Sequence, residues 1–285
     1  MTALFDDVIF GPVRSRRLGL SLGVNLLPLK SKLCNFDCIY CECGWNGHSQ
    51  THVTSLDSSC AASGDCRVSV GELAPVGARF NSREDVARLL GEKLRRMAAA
   101  GECPDVITFA GNGEPTIHPD FEAIIDDTLR LRDEICPSAK VSVLSNATMI
   151  GRPGVRRALE RVDNNILKLD SAFDDTVRLV NDPQGAYSVA ATVEGIKSFG
   201  GREIVQTMFL RGELGGHGGQ TIDNTTEREV SAWLALIADI KPRQVMIYTI
   251  DRDTPAEGLQ KVPVNELRAI ATRVEALGIP VSVAG

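Results

Sequence analysis

The chain has 285 residues, 43% of them hydrophobic and 24% charged, and its 31 Lys and Arg against 37 Asp and Glu give a net charge of −6. This is the make-up of a soluble globular protein, long enough to bury roughly three quarters of its unfolded surface in one large α/β domain or two small ones. The acidic balance disfavours binding nucleic acid through a globally basic surface. No apolar run approaches the roughly 18 residues of a membrane span, and MTALFDDVIFGP lacks a basic segment ahead of an apolar one, so a cytoplasmic protein is expected.

Along the chain, short apolar runs alternate with longer amphipathic ones. Strands are predicted at 24–29 (VNLLPL), 105–110, 140–144, 165–169, 203–209 and 244–249. Helices are predicted at 82–100, 120–135, 154–161, 187–199, 226–240 and 263–277. Ser82 ahead of Glu84 and Asp85, and Thr226 ahead of Glu227 and Glu229, place acids in the first turns of two of these helices. Strands alternating with helices of this length imply βαβ units on a parallel sheet, either open or curled into part of a barrel. Six units fall short of the eight of a closed barrel. Residues 43–81 break the rhythm with many Gly and Ser, little periodicity, and His48 and His52. The expectation is a single domain over 1–285 with an insertion at 43–81, the insertion lying over the barrel mouth.

Six of the eight cysteines fall within 33 residues: Cys34, Cys38, Cys41, Cys43, Cys60 and Cys66. In a reducing compartment such a group points to metal or catalysis before disulfides. Cys103 and Cys136 stand apart beside helix ends and read as small buried hydrophobes. Cys34-Asn-Phe-Asp-Cys38-Ile-Tyr-Cys41 has the spacing C-x3-C-x2-C in a loop after a predicted strand. Three readings compete on spacing alone. An iron–sulfur cluster on three cysteines uses all three and leaves one iron open. A zinc site has to borrow Cys43, Cys60 or Cys66, and a redox pair leaves Cys34 unexplained.

The block CNFDCIYC resembles the signature of radical S-adenosylmethionine (SAM) enzymes, with Tyr40 as the aromatic before the third cysteine. Ala110-Gly-Asn-Gly-Glu114-Pro after the second strand is similar to that family's Gly-Gly-Glu motif, with Asn112 for the first glycine and Gly113-Glu114 retained. Ser145-Asn146-Ala-Thr148 after the third strand is similar to its Ser-Asn-Gly-Thr. The resemblance implies a partial (β/α)6 barrel, a [4Fe–4S] cluster on Cys34, Cys38 and Cys41, and SAM held by Tyr40, Asn112, Gly113, Glu114, Ser145 and Asn146. It also implies reductive cleavage of SAM to a 5′-deoxyadenosyl radical that abstracts hydrogen from a substrate. The electron would come from a donor such as flavodoxin or ferredoxin. The leader FGPVRSRRLG ahead of LGVNLLP resembles the branch related to wyosine-base synthases of tRNA.

Substrate groups are sought at the other strand ends: Lys168 and Asp170, Gln206 and Met208, Asp251 and Asp253. Lys168 reads either as a Schiff-base lysine, as the wyosine branch suggests, or as the partner of Asp170 or Glu114 in a structural ion pair. Cys43, Cys60 and Cys66 suit a second, auxiliary iron–sulfur cluster; surface thiols on an insertion are the alternative. Arg14, Arg16, Arg17, Lys30 and Lys32 form a local basic patch that reads as a solvated or acid-paired face. A small molecule, a peptide and tRNA stay open as substrates. The competing functions are a glycyl-radical activase and a zinc-binding interaction module without catalysis.

Overall fold

A computed structural model describes residues 4–15, 19–46, 79–214 and 220–285. Most of the insertion, 47–78, with Cys60, Cys66, His48 and His52, lies outside the described residues, as do Arg16 and Arg17.

The chain opens on an antiparallel hairpin, β1 (Ile9–Ser15) and β2 (Gly19–Val24). Six crossovers follow: α1 (Arg83–Ala99) to β3 (Val106–Phe109), α2 (Phe121–Ile135) to β4 (Lys140–Ser145), and α3 (Pro153–Arg161) to β5 (Asn164–Lys168). Next, α4 (Asp174–Asn181) and α5 (Val189–Lys197) lead to β6 (Ile204–Met208). Strands β7 (Leu210–Leu214) and β8 (Gln220–Asp223) precede α6 (Glu227–Ile240) and β9 (Gln244–Tyr248). Finally, β10 (Leu259–Lys261) and α7 (Val264–Glu275) lead to β11 (Val281–Ala284). The main sheet runs β1-β2-β3-β4-β5-β6-β9-β11, with β2 through β11 parallel. This is the curled half-barrel of six βα units expected from the alternation. The small sheet β10-β7-β8 sits beside it.

Three expectations need correction. The first parallel strand ends at Val24 rather than spanning 24–29. Asn25 turns its side-chain oxygen back to accept from Leu27 N at 3.1 Å and Asn112 N at 3.2 Å, and Pro28 cannot donate to a ladder. The apolar letters that suggested a strand, Leu26 and Leu27, are buried from a loop instead. Secondly, α4, the small sheet and β11 all exist; at three to eight residues each they carry too little periodicity to read. Thirdly, Cys103 and Cys136 form a disulfide, with Cα atoms 5.8 Å apart. They precede the neighbouring parallel strands β3 and β4, so two connections 33 residues apart meet at the base of the sheet. Closing a loop of this length stabilises by about 3–4 kcal/mol on the chain-entropy account. Reduction, or Cys103→Ser, is therefore expected to lower unfolding stability by that order, measured in denaturant alongside a free-thiol titration.

The caps fall where acids follow Ser82 and Thr226: each hydroxyl accepts a backbone N–H of its helix's first turn, from Asp85 and from Glu229. Strand residues alternate between two environments. Leu22, Ile107, Val141, Leu167, Val205 and Val245 face the helices and are buried against Leu90, Ile125, Ile196 and Ile237. On the inner face, Ile166, Ile204 and Met246 close the floor of the barrel. Two residues further along the same strands stand Lys168, Gln206 and Tyr248, which line a cavity at the C-terminal edge. Among the described residues no helix is long and apolar enough to cross a membrane.

Candidate active site

The loop after β2 carries the cysteine triplet and is tied down by backbone bonds to three parts of the fold. Leu33 N donates to Asn112 O at 2.8 Å, Ile39 N to Val180 O at 3.0 Å, and Ala256 N to Ile39 O at 3.2 Å. Gly113 permits the first of these contacts. At φ +139° it lies where a Cβ would come within 1.9 Å of the Leu33 carbonyl oxygen, so only glycine lets the two loops pair.

Cys34, Cys38 and Cys41 all line one cavity of about 280 Å³, at the small end for ligand sites. Gly111, Gly113, Glu114, Ser145, Asn146 and Tyr40 are in the same lining. Burial pushes the thiols of Cys34 and Cys38 up, Cys38 to about 11, while a hydrogen bond with Cys43 and the nearby Lys32 ammonium push Cys41 down. Among the described residues no three His, Cys, Asp or Glu side chains stand at the spacing of a single metal ion. The three sulfurs share one cavity.

The other predicted residues divide. Glu114 is buried. One oxygen accepts from Thr116 N at 3.1 Å and Thr116 Oγ1 at 2.5 Å, and the other accepts from Asn146 N at 2.7 Å. It therefore locks the loop after β3 to the loop after β4, and burial raises its pKa. Asn146 donates from Nδ2 to Asn35 Oδ1 at 2.7 Å and accepts from Thr148 N at 3.1 Å. Ser145 Oγ accepts from Ala147 N at 3.1 Å. Ala147 sits at φ +65°, where glycine is at ease. Ala147→Gly is expected to be neutral or to stabilise by up to about 1 kcal/mol in thermal or denaturant unfolding, relieved strain outweighing the added chain entropy.

Asn112 turns away from the cavity. Its side chain donates to Pro28 O at 2.9 Å and Phe5 O at 3.0 Å and accepts from Phe5 N at 2.8 Å, so it anchors the N-terminal segment and offers no side-chain atom to a cofactor. Asp170 is also absent from the lining. Its buried carboxylate accepts from Met208 N at 2.8 Å, from Asn181 Nδ2 at 2.7 Å and from Tyr40 OH. It is a structural hub rather than a group open to substrate.

Lys168 does reach the cavity. Its Nζ donates to Tyr248 OH at 3.1 Å, lies 3.7 Å from Asp170 Oδ2 and faces the Tyr40 ring at 5.1 Å. Burial favours the neutral amine, but the Asp170 charge, with Tyr248 and Cys38 beside it, outweighs this and holds the ammonium charged. The ion pair foreseen for Lys168 is thus the one with Asp170. Gln206, Met208 and Asp251 line the cavity, whereas Asp253 is exposed outside it. Across the mouth, Arg252 pairs with Glu42 at 2.9 Å.

Of the basic patch, Arg14, Lys30 and Lys32 are described, and both lysines are paired with acids, Lys30 with Asp6 at 3.4 Å. Arg14 and Lys30 are exposed, but Lys32 is buried beside the triplet, held by Asp37 at 2.8 Å and Gly44 O at 2.9 Å. Of the three extra cysteines only Cys43 is described, its Sγ 3.3 Å from Gly111 O. Residues missed from sequence are Lys32 in this role, Tyr248 and Asn181. The last ends a helix that periodicity did not reveal, and no sequence signal marks it.

The thiol triplet thus lines a cavity at the C-terminal edge of the parallel strands of a half-barrel. Residues 30–223 match the Radical SAM superfamily, and the chain belongs to that superfamily. Among curated relatives, a UPF0026 protein of Synechocystis is 29% identical over 253 residues, covering 87% of this chain and 77% of that protein. A UPF0026 protein of Methanocaldococcus jannaschii is 28% identical over 71% of this chain and 54% of its own length. The chain spans only 31% of a third, named GTPase Obg, of Brachyspira hyodysenteriae, at 26% identity. Among solved structures, a radical SAM methyltransferase from Sphaerobacter thermophilus superposes with a TM-score of 0.60 at 14% identity, over 93% of this chain and 65% of that one. Streptococcus suis SuiB bound to precursor peptide SuiA gives 0.57 at 12% identity, over 92% and 48%. At these identities the likeness is one of fold.

Proposed function

We propose that the chain is a radical SAM enzyme in which Cys34, Cys38 and Cys41 hold a [4Fe–4S] cluster and the adjoining wall holds SAM. The observation that carries this reading is the convergence of three thiols, none in a disulfide, on one cavity walled by Gly111, Gly113, Glu114, Ser145 and Asn146. The donor set fits the group. Three cysteines line the cavity, the number that a cluster with one open iron takes, whereas a structural zinc site takes four ligands. When bound, cluster and SAM supply a one-electron reductive cleavage that delivers a 5′-deoxyadenosyl radical.

The chain's own residues bind, orient and exclude water. Gly113 lets the loop after β3 run against the cysteine loop, and Glu114 fixes the Asn146 backbone so that both loops present one surface. Lys168, ringed by Tyr40 and Tyr248, places a fixed positive charge on the inner wall, where an anionic part of a substrate or cofactor would find its partner. The electron comes from an external donor of the flavodoxin or ferredoxin kind.

Anaerobic reconstitution with iron and sulfide tests this reading. A brown protein with about four irons whose EPR signal changes on adding SAM is the expected result. A colourless protein that binds zinc instead would support the interaction module.

A further inference from the structure

The thiols of the triplet stand beside hydrogen-bond donors from their own loop and from two other parts of the fold. Cys34 Sγ accepts from Phe36 N at 3.4 Å and stands 3.8 Å from Asn146 Nδ2. Cys38 Sγ accepts from Asn181 Nδ2 at 3.4 Å. The Lys32 side chain lines the same cavity as Cys34 and Cys41.

Asn181 and Lys32 are buried side chains in places where a polar group is costly without a task. Asn181 is 1% exposed at the end of α4. Its amide has two N–H bonds and three acceptors: Asp170 Oδ2 at 2.7 Å, Tyr40 OH at 3.0 Å and Cys38 Sγ. The carboxylate takes one N–H, so the second is shared between the phenol and the sulfur. The Lys32 side chain is 2% exposed, and two of its three N–H bonds go to Asp37 and Gly44 O. Asp37 also accepts from Asn46 N at 2.9 Å, so its charge is divided between the two donors. The third ammonium N–H is left for the cavity that Lys32 lines together with the three thiols.

A reduced cluster carries one more negative charge than an oxidised one. A fixed cation and N–H donors at its sulfurs stabilise the reduced form more, and in a buried site this is not screened away. We propose that Lys32 and Asn181 are positioning residues that raise the reduction potential of the cluster, an inference that rests on the reading of Cys34, Cys38 and Cys41 given above.

The test is an EPR-monitored redox titration of the reconstituted holoprotein, with iron counted in every sample. The variants are Asn181→Leu, which keeps the volume and removes the donor, and Lys32→Gln, which can still donate toward Asp37 and Gly44 but has no charge. Lys32→Arg serves as the charge-conserving control. At the potential where the wild type is half reduced, the ratio of reduced to oxidised cluster should fall at least threefold in Asn181→Leu. In Lys32→Gln it should fall about tenfold, a shift of 59 mV for one electron. Lys32→Arg should stay within twofold of wild type. Full iron with an unmoved midpoint would overturn the inference. So would a variant that simply loses its cluster, because that outcome assigns the residue a structural role. A wild-type protein that assembles no cluster would instead refute the underlying reading.

Discussion

Replacing any one of Cys34, Cys38 or Cys41 with alanine is expected to abolish the visible charge-transfer absorption of the reconstituted protein while leaving its circular dichroism unchanged. The backbone of the cysteine loop is held by bonds from Leu33, Asp37 and Ile39 to other elements, none of which uses a sulfur, so the loop keeps its course without a given thiol. Removing one small thiol costs little packing. It removes a third of the ligands that the chain offers to the centre, and neighbouring Cys43 is turned toward the Gly111 carbonyl. Cys38→Ala is the sharpest variant because Cys38 is buried and takes the Asn181 hydrogen bond. Full iron content in that variant would show that the centre is held elsewhere.

The second large effect is expected at Glu114, and on stability as much as on binding. Its carboxylate serves buried donors that include Thr116 N, Thr116 Oγ1 and Asn146 N. Glu114→Ala orphans them all at roughly 1–3 kcal/mol for each buried donor left unpaired, so a loss of about 3 kcal/mol or more is expected in denaturant unfolding. Glu114→Gln keeps one acceptor oxygen and should recover part of that loss. Because the same bonds align the loops after β3 and β4, SAM affinity should fall by about tenfold or more in either variant, an effect of about 1.4 kcal/mol. A Glu114→Ala protein as stable as wild type would mean that the two loops are held independently.

The barrel was legible because its strands repeat one physical pattern. Every main-sheet strand from β2 to β9 places at least one buried apolar residue against the helices, and the alternation of helix and strand is long enough to count. The triplet and the Gly113-Glu114 turn were legible because close backbone approach and clustered thiols leave few alternative residues. What escaped detection depended on contacts across the fold. Lys32 sits beside Lys30 in sequence, yet one side chain is buried and the other 88% exposed, a difference set by Asp37 and Gly44 folding over it. Cys103 and Cys136 meet only because β3 and β4 are neighbours. Asn112 lies inside the glycine-rich turn but points backward, since Phe5 and Pro28 offer its amide better partners than the cavity does. Asp170 looks like a reactive acid at a strand end, and its three donors make it a fixed support.

The central claim is that this cavity cleaves SAM. The most direct measurement is the amount of 5′-deoxyadenosine and methionine formed when the reconstituted protein, reduced anaerobically, is given SAM without any other substrate. Slow formation of both in equal amounts, absent in Cys38→Ala and in unreduced protein, is the predicted result. A protein that carries its full cluster and binds SAM, yet releases neither product under strong reduction, would contradict it.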